Sequence, residues 1–412
     1  MVAVWDYALL LFAGGMEAAA APTEEALRLE DGPLVQLARQ VEAAVEAPSV
    51  LFASLSLNVL LLLLFCAMVR RRPPKAVALP GSRNALDAAE AQRRARKAER
   101  VKKASKPVIG SLVGAVADLK RLHEDYKFLA AGELLDALRV ALMNASGGGW
   151  GSWGAVDAQR QLDSLLSDGV LEDRISTARG AVRDLSSNDG FELVQQDASM
   201  KVLQRFTPSR HLTVKIEAVL DGVSASDCLM IWREATLYPE WCPFITGGKT
   251  LGEVHPGEAV IQLMVETYFM AVDMVLWGWA CDNIDESGEV LMCVRPITSS
   301  TKLPDGVKYP KLDAGKSTIL GTLRAKAVID ILVEPLSDSS VRFAFQMSDQ
   351  IADVVPSWGV NYVVQNAMVN VFERMRIAAS GMGRCDPSSK HYRFVNRPEY
   401  APTKKWIESR IH

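Results

Sequence analysis

The sequence predicts an α+β domain, a curved antiparallel sheet closed by one long C-terminal helix, preceded by a helical hairpin and a single transmembrane helix. Three observations carry this. Ser49 to Val69 is a run of 21 residues without a charge, roughly 31 Å as a helix and so about the thickness of a bilayer's hydrocarbon core. Residues 107–187 set leucines at helical spacing. From Leu212 the pattern turns to alternation, and the alternating runs end in an amphipathic stretch that opens at Pro356.

Residues 1–22 have a short apolar run followed by small residues, as a signal peptide does, but Asp6 interrupts the run and no basic residue precedes it. Glu24 to Glu46 continues with helix formers and an acidic surface. In the span itself only Ser54, Ser56 and Asn58 are polar. Pro73-Pro74 and Pro80-Gly81 break the helix beyond it, and Ala85 to Ser105 resumes with helix formers but almost no large apolar side chain. Leu119, Leu122, Tyr126, Leu129, Leu134, Leu135 and Leu138 then form one helical stripe. Gly147 to Gly154 turns the chain, and Leu162, Leu165, Leu166, Val170, Leu171 and Ile175 form the second arm of the hairpin. Trp150 and Trp153 in that turn suit either contact with a membrane or packing beneath the loop, the commoner arrangement.

In Leu212–Leu220 the residues Leu212, Val214, Ile216, Ala218 and Leu220 share one face, while Thr213, Lys215 and Glu217 share the other, as in a half-buried strand. Ser224 or Ser226 can cap a helix through Ala235. Further strand-like runs cover 259–268, 271–280, 290–295, 322–333 and 341–347, separated by Gly257, Asn283, Ser287-Gly288 and Asp338-Ser339-Ser340. Pro356 suits the first turn of the closing helix, whose stripe is Val360, Val364, Met368, Val371 and Met375.

Charge gives the chain an orientation. Residues 1–48 carry two basic and eight acidic side chains, residues 70–106 thirteen basic and three acidic, and the rest a balance of −7. By the positive-inside rule the first 48 residues lie in a lumen or outside the cell, and the large C-terminal part faces the cytosol. The six cysteines lack CxxC spacing and read as reduced thiols. Residues 70–106 then form a polybasic surface beside an anionic leaflet. Without aromatics for stacking they offer nothing to a nucleic acid. The sequon Asn144-Ala145-Ser146 stays bare in this topology.

Catalytic and metal motifs are missing. The five histidines are far apart, no HExxH or GxSxG occurs, and Ala314-Gly315-Lys316-Ser317 has Pro310 where a phosphate loop needs its first glycine. Polar residues do lie inside predicted strands: Glu266, Asp273 and Arg324. Solvent is the default destination for such side chains in an antiparallel sheet. If they point inward, they mark a binding cavity.

The stretch from Asp189 to Gly381 resembles a START domain, the steroidogenic-acute-regulatory-related lipid-transfer family. The matching pieces come in order: Val214–Gly222 (VKIEAVLDG), Leu237–Phe244 (LYPEWCPF), Leu323–Ala325 with Val333–Leu336 (VEPL), and Val355–Asn361 (VPSWGVN). The resemblance implies a helix-grip fold holding one lipid, with a loop within Ile297–Ser317 and the closing helix as its gate. In the sterol-carrying branch a buried Glu and Arg form a polar floor. Glu266 falls on the Glu position, Trp277 occupies the Arg position, and Arg324 is the substitute partner. The lipid-binding set it implies is Tyr238, Trp241, Glu266, Asp273, Trp277, Arg324, Trp358, Val364 and Met368.

The expected organisation is thus an extracytosolic segment 1–48, a span 49–69, a basic linker 70–106, a helical region 107–188, a START-like domain 189–385 and a tail 386–412. The expected function is a single-pass, endomembrane-anchored protein, at the endoplasmic reticulum for instance, that binds a sterol or phospholipid and transfers it without any cofactor. Two alternatives stay open: a lipid-responsive adaptor recruiting a protein through 107–188, and a cyclase-like enzyme on the same fold.

Overall fold

A computed structural model describes residues 111–147, 153–197, 199–206, 212–242, 245–266, 271–312, 322–349 and 368–411. The expected span Ser49–Val69, the segment before it and the basic linker lie outside the described residues. Among the described residues no helix is long and apolar enough to cross a membrane.

The helical region forms four helices where one hairpin was expected: α1 (Leu112–Glu124), α2 (Phe128–Gly147), α3 (Trp153–Leu166) and α4 (Val170–Ser186). Ser111 caps α1, its Oγ accepting from the Gly114 N–H at 3.0 Å. Each expected arm is broken once. Between α3 and α4 the chain turns at Gly169, with φ of 71°. Between α1 and α2 it turns at Tyr126, which adopts φ of 61° without being glycine. The leucine spacing runs straight through this second reversal because the turning residue is itself an apolar member of the stripe.

Ten strands follow: β1 (Glu192–Gln196), β2 (Met200–Phe206), β3 (Leu212–Asp221), β4 (Ile245–His255), β5 (Glu258–Glu266), β6 (Ala271–Asn283), β7 (Glu289–Pro296), β8 (Thr322–Ala325), β9 (Ala327–Ser337) and β10 (Ser340–Asp349). They form one sheet in the order β1-β2-β3-β10-β9-β7-β6-β5-β4, with β8 added beside β6. All pairings are antiparallel except β6 with β8. The single run expected over 322–333 divides at Lys326. One piece joins β6, and the other runs between β7 and β10. Strands β1, β2 and β4 were not foreseen; in β4, Gly247, Gly248 and Gly252 depress strand propensity. Gly248 is needed there, since a Cβ would lie 1.9 Å from the carbonyl oxygen of Ala235.

Between β3 and β4 lie α5 (Ala225–Arg233), capped by Ser224, and the short α6 (Tyr238–Trp241). The closing helix is described from Met368 to Gly383 as α7, whereas Pro356 to Ala367 lie outside the described residues. The expected tail is folded into α8 (Lys390–Val395) and α9 (Ala401–Ile411). Val395, Tyr400 and Ile407 are buried in the same core as α5 and α7, so this segment belongs to the domain.

Each face of the sheet has its own core. On the inner face Val214, Ile216, Ala218 and Leu220 of β3 join Phe343 of β10, Ile331 of β9 and Leu276 of β6 beneath α5 and α7. On the outer face Trp279, Cys281, Leu291, Cys293, Leu332 and Ala344 pack against α1–α4. Strand β3 is therefore covered on both sides, and its polar face, expected in solvent, is buried. Lys215 is fully buried, and its ammonium donates to the Ser187 carbonyl at 3.0 Å and Asn188 Oδ1 at 2.7 Å, at the end of α4.

Candidate binding site

Because the ladders from β3 to β5 run without register shifts between β3 and β5 except near Ser340, residue parity assigns every side chain in the middle of the sheet to a face. Inner positions are apolar through the centre: Val341, Phe343, Phe345 and Met347 on β10, Ile329, Ile331 and Val333 on β9, and Val272, Met274 and Leu276 on β6. Most charged positions are outer ones, with Asp282 of β6, buried opposite Val290, an inner exception. Arg295 pairs with Asp330 at 2.7 Å, Arg342 with Glu334 at 3.5 Å, and Arg174 of α4 with Glu258 of β5. The sheet thus keeps its ion pairs beneath the helical layer and presents hydrocarbon to the other side.

One row on the inner face is less deeply buried than its neighbours. Met347, Ile329, Val294, Gly278 and Ala259 stand side by side across β10, β9, β7, β6 and β5, by the pairings Met347↔Ile329, Ile329↔Val294, Val294↔Gly278 and Gly278↔Ala259. All five are only half-buried, whereas Phe345, Ile331 and Val333 on the same face are at most 4 % exposed. Two of the five, Gly278 and Ala259, contribute only a hydrogen or a methyl group. The row carries no titratable side chain. Such a strip accepts hydrocarbon, each CH₂ removed from water contributing about 0.8 kcal/mol.

An aromatic cluster flanks the row. Trp232 of α5 stacks on Phe343 and Phe345 with ring centroids 5.7 and 5.3 Å away. Trp241 lies 5.1 Å from Trp232, and the Tyr238 hydroxyl donates to the Trp232 carbonyl. Phe372 of α7 reaches Phe343 at 5.9 Å. Tyr238 and Trp241, both in the expected set, are thus buried on the inner side, tying α6 to the sheet.

Four other expected residues lie on the opposite side. Glu266, Asp273 and Trp277 share the outer face by parity, and Arg324 stands opposite Asp273 in the β6–β8 pairing. The polar-floor expectation is corrected accordingly. Asp273 is fully buried, holds Arg324 at 3.0 Å and accepts from Gln262 Nε2 at 2.9 and 3.0 Å. Arg324 therefore partners Asp273, and Glu266 ends β5 half-buried opposite Ala271. The Trp277 indole donates to Glu258 at 2.6 Å. These residues also anchor the expected gate loop: the Arg324 guanidinium donates to the Pro310 carbonyl at 3.2 Å and lies 4.8 Å from the Tyr309 ring. Ile297, Leu303, Val307 and Tyr309 pack with Val260 and Val275, so the described part of the loop, through Leu312, sits on the outer face. Trp358 and Val364 lie outside the described residues, and Met368 opens α7.

Sequence reading missed the row because parity alone does not say which face is inner. Register supplies that, and only β3 had a readable alternation. Among the described residues no group of His, Cys, Asp or Glu could hold a metal ion.

No protein-family model and no curated protein matches the chain. Solved structures do. A STAR-related lipid transfer protein fragment from Xanthomonas axonopodis is 18% identical, with 46% of this chain and 99% of that one covered and a TM-score of 0.36. Human STARD10 is 11% identical over 57% of this chain and 86% of that one, with a TM-score of 0.43. The Zhui aromatase/cyclase from Streptomyces is 9% identical over 42% and 94%, with a TM-score of 0.29. The chain is similar to STAR-related lipid-transfer domains.

Proposed function

We propose that this chain is a membrane-anchored protein that holds one lipid against the inner row and transfers it between cytosolic membrane surfaces. The observation that carries the reading is the row itself: a half-buried apolar strip across five strands, uncharged, beside α5, α6 and α7. Its chemistry fits the hydrocarbon part of a sterol or phospholipid. Without a titratable group on the row, nothing there performs acid–base chemistry, so a binding role is favoured over a cyclase-like one.

The span Ser49–Val69 and the basic linker supply the location. An anchor in an endomembrane such as that of the endoplasmic reticulum keeps the domain on the cytosolic side, at a high effective concentration near the donor surface. The linker's basic residues lean on anionic headgroups, each contributing about 1 kcal/mol.

A vesicle-extraction assay tests the reading with inner and outer variants side by side. Ile329→Lys sets a charge on the row and is expected to lower lipid uptake at least about tenfold, since an unpaired charge cannot share an apolar site. Glu266→Gln, on the outer face, is expected to leave uptake unchanged. If Ile329→Lys extracts lipid as well as the parent while remaining folded, the row is not the site.

A further inference from the structure

The described chain is electrically polarised along its length. Residues 111–373 carry a balance of −13, whereas residues 374–412 carry nine basic and three acidic side chains. That basic segment is the end of α7 together with α8 and α9, packed around α5 and the core of the inner face. Arg374, Arg384, Lys390, Arg393, Arg397 and Lys405 are exposed. Lys390 is engaged by Glu240 at 2.6 Å, and Arg393 donates to the carbonyls of Pro387 and Ser388. Among the described residues Arg384, Arg397 and Lys405 make no ion pair, so their charge is directed to whatever approaches.

One apolar side chain stands within this field. Ile377 is 63 % exposed on α7, three residues from Arg374 and so on the same helix face. Basic side chains around a lone exposed aliphatic match a bilayer surface, where ammonium and guanidinium groups meet anionic headgroups and the aliphatic enters the acyl boundary. A nucleic acid fits less well, because Tyr400 and His391 of this segment are buried and no fully exposed aromatic is left for base stacking.

We propose that the end of α7 with α8 and α9 forms a second membrane-docking surface, directed at anionic lipid and distinct from the basic linker. It rests on the lipid-holding reading for its purpose, since it would bring the helices that close the inner face onto an acceptor bilayer. The docking itself is measured independently of any bound lipid.

The test uses the full chain reconstituted in phosphatidylcholine vesicles, with Lys75, Arg83 and the basic residues of 93–106 changed to Gln so that only the three arginines beside the span remain of the linker's positive charge. Capture of fluorescent acceptor vesicles is compared for phosphatidylcholine alone and with phosphatidylserine added. Capture is expected only with phosphatidylserine, to fall in high salt, and to drop at least about tenfold in Arg384→Glu/Arg397→Glu/Lys405→Glu. Native mass spectrometry on the same samples reports bound lipid. A parent that captures anionic vesicles while carrying no lipid supports docking and removes the lipid-holding reading. Equal capture by parent and triple variant, equal capture of neutral vesicles, or loss of capture on the linker substitutions alone overturns the proposal. Displacement of the acceptor vesicles by duplex DNA at matched phosphate would assign the surface to nucleic acid and overturn it too.

Discussion

Tyr126 shows how single residues join the layers. Its left-handed backbone conformation is costly for a residue with a Cβ, yet its phenol donates to Glu258 at 2.7 Å and its ring stacks on His255 at 4.4 Å. Glu258 also receives Arg174 and the Trp277 indole, and the Arg174 guanidinium lies 3.8 Å from the Trp279 ring. One carboxylate thus holds a turn, a helix and two strands. Removing it leaves a buried cation and two buried donors without their acceptor. Glu258→Ala is expected to cost about 3–5 kcal/mol in urea unfolding, far more than an exposed pair such as Arg121–Asp118. Burial pushes the Cys281 thiol up to about 12 and raises the Cys228 and Cys293 thiols as well. These three stay protonated and inert, so maleimide labelling of the folded chain should reach, among them and Cys385, only the exposed Cys385. His391 supplies a pH dependence. Burial lowers its pKa to about 4, with Glu240 opposing the shift. The unfolded chain takes up this proton below about pH 6.5, whereas the folded chain resists until about pH 4. Stability from this residue is therefore complete above pH 6.5 and declines as pH falls to 4, by at most about 3 kcal/mol. His391→Leu should flatten that part of a stability–pH curve.

At the scale of elements, the C-terminal helices and the helical layer both close the sheet. Trp406 of α9 packs edge-on against Tyr126 and His255 at 6.2 and 5.2 Å, and a Cβ on Gly257 would lie 2.4 Å from its ring. Truncation after Cys385 removes the buried side chains of Val395, Tyr400 and Ile407. At about 1.5–3 kcal/mol for each large apolar side chain, the loss should be several kcal/mol and readable as a lower melting temperature. Much of this level was legible. Alternation placed β3, Ser224 placed the α5 cap, and the apolar runs placed β5, β6, β7 and β10 within a few residues. What escaped has physical reasons. A reversal at Tyr126 carries no glycine signal, the glycines of β4 hide a strand, and α8 and α9 are short helices whose stability comes from packing. The hairpin tip was misjudged as well, since Trp153 is 92 % exposed where packing beneath the loop was the arrangement favoured.

For the whole molecule, the decisive feature is the separation of chemistry between the two faces of one sheet. Glu266, Asp273 and Arg324 were conspicuous in the sequence because charges inside strands are unusual, and the same rarity made a cavity floor their natural interpretation. Register puts all three on the outer side, where Asp273 and Arg324 pair with each other and hold the loop. The half-buried inner residues Met347, Ile329, Val294, Gly278 and Ala259 are unremarkable in sequence and acquire meaning only as neighbours across five strands. That inversion leaves the face proposed to hold lipid with a central row of apolar side chains and no titratable group on it. Native mass spectrometry of the chain expressed in cells, with identification of any copurifying lipid, tests this most directly. One lipid per chain, lost in Ile329→Lys and kept in Glu266→Gln, is the expected result. A chain that carries no lipid and takes none from vesicles would contradict it.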